Sequence, residues 1–187
     1  MITPGISLVN FKLKKDTKKI KENLTSIIKN KNQIIYSLSK NYLNSYNSKK
    51  IKNYKKNKNF RIIGMGGSTL GAQAIYAFLK DKIKKKFKFI DNLQNYQKKN
   101  NNENYTNLII SKSGNTIETI VNANILIKNK DKNIFVTENK RNYLYLLAEK
   151  LKAEIIHHNN FIGGRYSVLS EVGMLPAELM DLKPNNF

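Results

Sequence analysis

The chain has 187 residues, enough for one domain with a substantial hydrophobic core. It contains no cysteine, which excludes disulfides and thiolate metal sites and favours a reducing compartment such as the cytoplasm. No apolar run reaches the roughly 18 residues that a membrane-spanning helix needs. The first five residues, Met1 to Gly5, lack the charged and apolar regions of a signal peptide. We therefore expect a cytoplasmic protein without membrane segments.

The formal net charge of +21 raises the question of whether the chain binds nucleic acid. Most of this charge comes from lysines set among asparagine and isoleucine, as in residues 49–58. These three residue types share A/T-rich codons, so genome composition is a sufficient explanation. Arginine, the preferred reader of bases, occurs only at Arg61, Arg141 and Arg165. Nonspecific binding at low salt is expected, and a nucleic-acid-binding protein stays open as a third hypothesis.

Residues 1–59 form a basic N-terminal segment. Apolar residues recur at helical spacing from Ile20 to Ile28 and again from Ile34 to Leu43, with a polar joint at residues 30–32. We expect two helices that pack on the main domain. Residues 44–59 contain few apolar side chains and are predicted to be a solvated linker. This segment offers no candidate functional residue.

From Phe60 onwards, short apolar runs alternate with helical patterns. The runs predicted to be strands are residues 60–64, 87–90, 107–110, 133–137 and 153–157. Five strands linked by crossover helices imply an α/β fold, with a parallel, doubly wound sheet between two layers of helices. The expected architecture is a three-layer αβα sandwich of flavodoxin-like type. In such folds ligands bind at the carboxyl ends of the strands, where three motifs fall.

The first motif, Gly64–Gly71 (GMGGSTLG), follows the first strand. Its glycines allow positive φ and a close backbone approach, and Ser68 offers a hydroxyl at the start of a helix. The spacing is not that of the dinucleotide fingerprint, and the lysine of a P-loop is missing, so a nucleotide triphosphatase is not indicated. A tight turn with an ordinary cap is the alternative interpretation.

The second motif, Ser111–Thr119 (SKSGNTIET), lies between the third strand and an amphipathic helix. The first N–H groups of a helix have no intrahelical partners, and the helix dipole places partial positive charge there. Nearby hydroxyls, the Lys112 cation and the small Gly114 complete a pattern typical of a phosphate cradle. An ordinary N-cap would also favour serine and threonine. Two such turns at one edge of a sheet jointly favour a small phosphorylated ligand.

The third motif, Phe161–Ser170 (FIGGRYSVLS), follows the fifth strand. Its paired glycines permit a sharp turn that presents Arg165. A guanidinium stays charged at working pH, so it could hold an anionic oxygen or stabilise charge that develops on one. A structural arginine that bonds carbonyl groups is the alternative.

In order and approximate spacing, the three motifs resemble those of the glucose-6-phosphate isomerase (phosphoglucose isomerase) family. The resemblance covers about residues 60–180, the family's first sugar-isomerase (SIS) domain. It implies interconversion of glucose 6-phosphate and fructose 6-phosphate through an enediolate, without a cofactor or a metal. It assigns Arg165 to catalysis, as the group that stabilises the enediolate. The residues that it assigns to substrate binding are Gly67, Ser68, Ser111, Lys112, Ser113, Thr116 and Gly164.

The family's base, a glutamate, and its ring-opening histidine and further lysine belong to later motifs, which these residues do not include. Glu118 is better explained as a partner of the helix N-terminus than as the base. His157 and His158 precede the third motif and do not match the family's histidine. Glu171 and Glu178 also match no catalytic residue of the family.

The resemblance therefore implies a truncated or split isomerase, with residues 60–187 as the first SIS domain and the second domain absent. A noncatalytic phosphosugar-binding module or regulator is the alternative. The expected partners are a sugar phosphate and either a complementary chain or a second copy, with no specific nucleic acid. An apolar stripe near the end of the sequence is expected to face the missing domain as an association surface. The stripe comprises Val172, Leu175, Leu179 and Leu182.

Overall fold

The computed structural model describes residues 17–29, 32–93, 103–128 and 130–187. The strands are β1 (Asn59–Gly64), β2 (Lys86–Ile90), β3 (Thr106–Ile110), β4 (Lys132–Glu138) and β5 (Glu154–His158). The helices are α1 (Lys18–Lys29), α2 (Gln33–Tyr36), α3 (Ser48–Lys55), α4 (Gly67–Phe78), α5 (Ile117–Leu126), α6 (Tyr143–Lys150) and α7 (Glu171–Leu179). Short 3₁₀ turns occur at Lys80–Lys82, Gly164–Tyr166 and Pro184–Asn186. Within these ranges, no helix is both long and apolar enough to cross a membrane.

The five strands form one parallel sheet in the order β2-β1-β3-β4-β5. This is the flavodoxin-like order, so the predicted α/β fold is confirmed. Each strand boundary lies within one residue of its prediction. The prediction succeeds because strands buried on both faces are nearly continuous apolar runs, which stand out in a lysine-rich sequence.

Alternate residues of each strand face opposite layers of helices. Ile62, Leu108 and Ile134 pack in one core with residues of α4 and α7. Their neighbours Ile63, Ile109 and Phe135 pack in a second core with residues of α5 and α6. All six strand side chains are fully buried. The sheet is therefore the middle layer of the predicted three-layer sandwich.

The predicted association stripe on the last helix is a wrong prediction. Val172, Leu175 and Leu179 are buried within this chain, and Leu182 packs partly buried against the same core. Helix α7 is buried along its whole length because it contacts α4 on one side and α3 on another. The stripe therefore belongs to the core of the described domain.

The prediction of a solvated linker at residues 44–59 is also wrong. This stretch contains α3, which begins after Asn47, whose side-chain oxygen accepts a hydrogen bond from the N–H of Lys49 (2.8 Å). Ile51 of α3 is 1% exposed and joins the core beside α7. Tyr46 and Tyr54 pack partly buried against the same core. These three side chains anchor the segment to the core, although its overall composition is polar.

Helix α1 forms as predicted, but it does not pack on the main domain. All its residues are exposed, including Ile20 (66%), Leu24 (54%), Ile27 (50%) and Ile28 (64%). The second predicted helix is shorter than expected, since α2 ends at Tyr36 and turns follow it.

The packing of α3 predicts a measurable stability effect. Replacing Ile51 with valine removes one buried methylene group and is expected to lower the free energy of unfolding by about 1 kcal/mol. The matched control is Ile27→Val on α1, where the side chain is half exposed and the expected change is close to zero. Urea denaturation of both variants measures the difference. Equal effects would contradict the docking of α3.

Candidate functional site

The two glycine- and hydroxyl-rich motifs lie on either side of one point in the sheet. Strands β1 and β3 are neighbours, although the chain visits β2 between them. The connection after β1 passes over one face through α4, and the connection after β3 passes over the other through α5. The two connections therefore diverge beyond the carboxyl ends of β1 and β3. This topological switch point is where doubly wound folds leave a crevice for a ligand.

The first motif packs directly against the third. Gly66 has a positive φ of 55°, and α4 begins at the next residue. A side-chain carbon on Gly67 would lie less than 3.0 Å from the backbone of Gly164 and Arg165. Gly67 thus permits the 3₁₀ turn Gly164–Tyr166 to approach the start of α4. The structure brings together these two parts of the predicted site.

In the second motif, the predicted hydroxyl groups differ in accessibility. Ser111 is 2% exposed, and its Oγ lies 2.9 Å from the Oγ1 of Thr116, so the two hydroxyls share a hydrogen bond. Ser113 is exposed, and its Oγ accepts a hydrogen bond from the N–H of Asn115 (3.3 Å). Ser113 and the partly exposed Thr116 are therefore the hydroxyls that a ligand could reach, whereas Ser111 orients Thr116.

A buried asparagine braces this second motif, and sequence reasoning missed it. Gly114 has a positive φ of 66° and packs against the side chain of Asn142. The carbonyl of Gly114 accepts a hydrogen bond from the N–H of Leu144 (3.1 Å). The Nδ2 of Asn142 donates to the Oγ1 of Thr137 (2.9 Å), and its Oδ1 caps α6 at the N–H of Tyr145 (2.9 Å). An asparagine directly before a helical pattern was a recognisable cap signal.

The helices that start at the switch point are not closed by side-chain caps. The N-cap residues Gly66 of α4 and Thr116 of α5 make no side-chain cap hydrogen bond, and Ser68 lies inside α4. By contrast, Asn47 and Asn142 do cap α3 and α6. Of the alternative interpretations, the structure contains the tight turn at Gly66 and a threonine at the N-cap position of α5, but neither helix has a side-chain cap hydrogen bond. In α4, the N–H groups of Ser68 and Thr69 already donate to the carbonyls of Met65 (3.2 Å) and Gly66 (3.0 Å). The N-terminus of α5 is therefore the one better suited to binding an anion.

The third motif presents an exposed arginine on a well-braced turn. Ser167 is fully buried, and its Oγ donates to the carbonyl of Gly164 (2.7 Å). The Oγ of Ser170 in turn donates to the carbonyl of Ser167 (2.8 Å). These bonds hold the backbone of the turn while the side chain of Arg165 stays exposed. Its position beside Gly67 agrees with a role at the crevice between β1 and β3.

Lys112 links the second motif to the segment before the third. Its Nζ donates to the carbonyl of Asn160 (2.6 Å). Its own carbonyl accepts hydrogen bonds from the N–H of Glu138 (3.0 Å) and the Oγ1 of Thr137 (3.2 Å). The ammonium group is thus held at the carboxyl edge of the sheet by a neutral partner, and its charge remains available.

The remaining titratable candidates occupy different environments. Glu118 lies partly buried in the first turn of α5, where the helix dipole stabilises a carboxylate. His157 is exposed. His158 is 2% exposed, and burial lowers its pKa, so its ring is neutral near pH 7. Its Nδ1 lies 3.0 Å from the carbonyl of Asn159.

Curated relatives share much of the sequence described above. Glucose-6-phosphate isomerase from Acholeplasma laidlawii is 40% identical over 136 residues, which are 62% of this chain and 32% of that protein. The enzyme of that name from Borreliella afzelii is 34% identical over 174 residues, covering 83% of this chain and 32% of that protein. The one from Methanocaldococcus jannaschii is 37% identical over 131 residues, covering 63% and 32%.

Solved structures share the fold at low sequence identity. A hypothetical protein from Thermus thermophilus has a TM-score of 0.66 and 18% identity, covering 89% of this chain and 44% of that one. Tagatose-6-phosphate ketose/aldose isomerase from Escherichia coli has a TM-score of 0.54 and 16% identity, covering 71% and 40%. The Vibrio vulnificus NanR protein complexed with ManNAc-6P has a TM-score of 0.56 and 14% identity, covering 87% and 63%.

The chain spans about a third of the length of the curated relatives that it matches. The family model described as phosphoglucose isomerase matches residues 12–181, which contain all three motifs. This protein therefore belongs to the phosphoglucose isomerase family.

Proposed function

We propose that this chain carries the phosphate-binding half of a glucose-6-phosphate isomerase, which interconverts glucose 6-phosphate and fructose 6-phosphate in the cytoplasm. The observation that carries the proposal is the uncapped N-terminus of α5 at the β1/β3 switch point, with the hydroxyls of the second motif beside it. In this proposal, residues 60–187 are the first SIS domain and residues 1–59 the N-terminal segment. The names of the curated relatives support the reaction, and two structural neighbours are described with phosphorylated sugars.

The second motif is the proposed phosphate site. Ser113 and Thr116 donate hydroxyl hydrogen bonds to the phosphate, and the first N–H groups of α5 add partial positive charge. Lys112 supplies a full positive charge from the same loop. Ser111 contributes through its bond to Thr116, which fixes the direction of that hydroxyl.

The first and third motifs form the proposed site for the sugar. Gly67, Ser68 and Gly164 line the contact between the start of α4 and the 3₁₀ turn, where a sugar ring can approach the backbone closely. Arg165 stabilises the negative charge that develops on oxygen as the enediolate forms. Proton transfer between C1 and C2 also requires a base. We assign the base to residues outside this sequence, supplied by a continuation of the polypeptide or by a complementary chain.

The alternative is a noncatalytic module that binds a phosphorylated sugar. It is favoured by the likeness to a protein whose structure contains ManNAc-6P. Both candidates require the same phosphate site. They differ in turnover. The purified chain converts the substrate only if the catalytic base is also present at the site.

Titration calorimetry of the purified chain with fructose 6-phosphate tests the shared phosphate site. Ser113→Ala removes an exposed hydroxyl that would donate to a charged phosphate, and we expect about tenfold weaker binding. The matched control is Ser26→Ala on the exposed helix α1, which should leave the Kd unchanged. No binding by the unmodified chain, or equal effects of the two substitutions, would contradict the site.

A coupled isomerase assay on the same samples separates the two candidate functions. Binding without turnover by the chain alone is expected, because the base is assigned elsewhere. Turnover by the chain alone would mean that the base is present, and Glu118 would be the first residue to replace with glutamine. Binding of DNA that is sensitive to salt and survives Ser113→Ala would instead support the nucleic-acid hypothesis.

A further inference from the structure

Glu171, the first residue of α7, is a fully buried carboxylate at the edge of the candidate site. Its Oε1 accepts a hydrogen bond from the N–H of Asn159 (2.6 Å), and its Oε2 accepts one from the hydroxyl of Tyr42 (3.0 Å). A buried carboxylate is costly unless such donors satisfy it. The Nδ1 of His158 lies 3.8 Å from the Oε1 of Glu171, but burial lowers the pKa of His158, so its ring is neutral near pH 7. The carboxylate is therefore satisfied by the two donated hydrogen bonds and not by a histidine cation.

The segment that Glu171 holds is the 159–162 turn, which comprises Asn159, Asn160, Phe161 and Ile162. The N–H of Ile162 donates to the carbonyl of Asn159 (3.2 Å), which closes the turn. The carbonyl of Asn160 receives the ammonium group of Lys112 (2.6 Å). The chain then continues directly into Gly163, Gly164 and Arg165. The turn therefore connects the cation of the proposed phosphate site to the arginine of the proposed sugar site.

Packing holds only one end of this turn, where the side chain of Ile162 is fully buried. A cavity of about 360 Å³ lies beside it, and its lining includes Tyr42, Asn160, Phe161 and Glu171. The ring of Phe161 is 74% exposed and adds little packing. The hydrogen bond from Asn159 to Glu171 is therefore a principal restraint on the other end of the turn.

We propose that Glu171 is a positioning residue, whose buried carboxylate fixes the 159–162 turn and so places Lys112 for the phosphate and Arg165 for the sugar. Tyr42 extends this restraint to the N-terminal segment by donating to the same carboxylate. The claim that this placement helps to bind a sugar phosphate rests on the proposed function. The claim that Glu171 fixes the position of Lys112 does not rest on it, because the contacts exist without a ligand.

The reactivity of Lys112 tests this placement in the absence of ligand. Glu171→Met has similar volume and removes both acceptor oxygens, and we expect acetic anhydride to label Lys112 about tenfold faster. Glu171→Gln retains one oxygen for the Asn159 N–H and should keep the rate within about twofold of the unmodified chain. The exposed Lys140 serves as an internal standard in the same mass spectra. An unchanged rate at Lys112 in folded Glu171→Met would overturn the proposal.

Hydrogen exchange on the unmodified chain gives a second readout that needs no variant. The Asn159 amide donates to a buried carboxylate, so we expect slow exchange relative to the amide of the exposed Asn160. Equal exchange at these two amides would show that Glu171 does not restrain the turn, even if Glu171→Met failed to fold.

Fructose 6-phosphate binding then links the restraint to the site. If Glu171 acts through Lys112, Glu171→Met should weaken binding about tenfold alone and by less than about twofold in a Lys112→Met background. A merely structural role would weaken binding equally in both backgrounds. Absence of binding by the unmodified chain would overturn the proposed function, whereas the labelling and exchange results would still decide the role of Glu171.

Discussion

Replacing Gly67 with alanine is expected to lower the free energy of unfolding by about 3 kcal/mol, at the upper end of overpacking costs. The new carbon would lie less than 3.0 Å from backbone atoms of Gly164 and Arg165. Backbone atoms cannot rotate away as the end of a side chain can, so either the start of α4 or the 3₁₀ turn must shift. Because that turn presents Arg165, we also expect binding of fructose 6-phosphate to weaken about 100-fold. Chemical denaturation and calorimetry measure the two effects.

Gly163→Ala is the matched control for this prediction. Gly163 has an ordinary φ of −69°, and the nearest atom to an added carbon, on the ring of Tyr166, is 3.6 Å away. We expect a change in stability within about 0.5 kcal/mol. Similar losses for the two alanine variants would mean that the turn responds to any added bulk. Full stability and binding in Gly67→Ala would show that the close approach is not needed.

The location of the candidate site could be predicted from sequence because it depends on local signals and one general rule. Buried strands are apolar runs, and glycines and hydroxyl residues mark the turns after β1 and β3. The rule that ligands bind beyond the carboxyl ends of parallel strands then places these turns at one edge. Contact between Gly67 and Gly164, which are far apart in the chain, follows from that geometry.

The packing of the N-terminal segment and α7 could not be predicted in the same way. An apolar stripe such as Val172, Leu175 and Leu179 shows that a helix face is buried, but not what buries it. Here the stripe packs in the chain's own core, together with residues of the strands and α4. A neighbouring side of α7 is covered through polar contacts, since Ser48 donates to the buried Glu178 (3.1 Å) and Lys55 pairs with it (3.0 Å).

These contacts explain why composition misled the interpretation of residues 44–59. From the sequence, Lys55 and Ser48 are expected to be solvated, yet both contact the carboxylate of Glu178. Burial beside Glu178 also raises the pKa of the Tyr46 hydroxyl, which stays protonated and able to donate a hydrogen bond. Glu171 and Glu178 matched no catalytic residue, and nothing local in the sequence identified them as anchors for tyrosines more than a hundred residues away.

Replacing Gly114 with alanine is the second substitution with a large expected effect. The positive φ of 66° alone costs a side-chain-bearing residue about 1–2 kcal/mol. The added carbon would also lie less than 3.0 Å from the side chain of Asn142. That side chain is 6% exposed and bonded at both ends, to Thr137 and Tyr145, so it cannot swing away without loss. We expect a total destabilisation of about 3 kcal/mol, with overpacking added to the backbone term.

Gly66→Ala shows a backbone cost without overlap. Gly66 has φ 55° and ψ −123°, a combination that is strained for any residue with a side chain, and no atom lies within 4 Å of an added carbon. We expect a loss of about 1–3 kcal/mol from the backbone alone. A double-mutant cycle measures the cost of the overlap with Asn142, since Gly114→Ala should cost less in an Asn142→Ala background, where the overlapping atoms are gone. Equal costs in both backgrounds would show that Asn142 does not brace the second motif, and that Gly114 is needed for its backbone conformation alone.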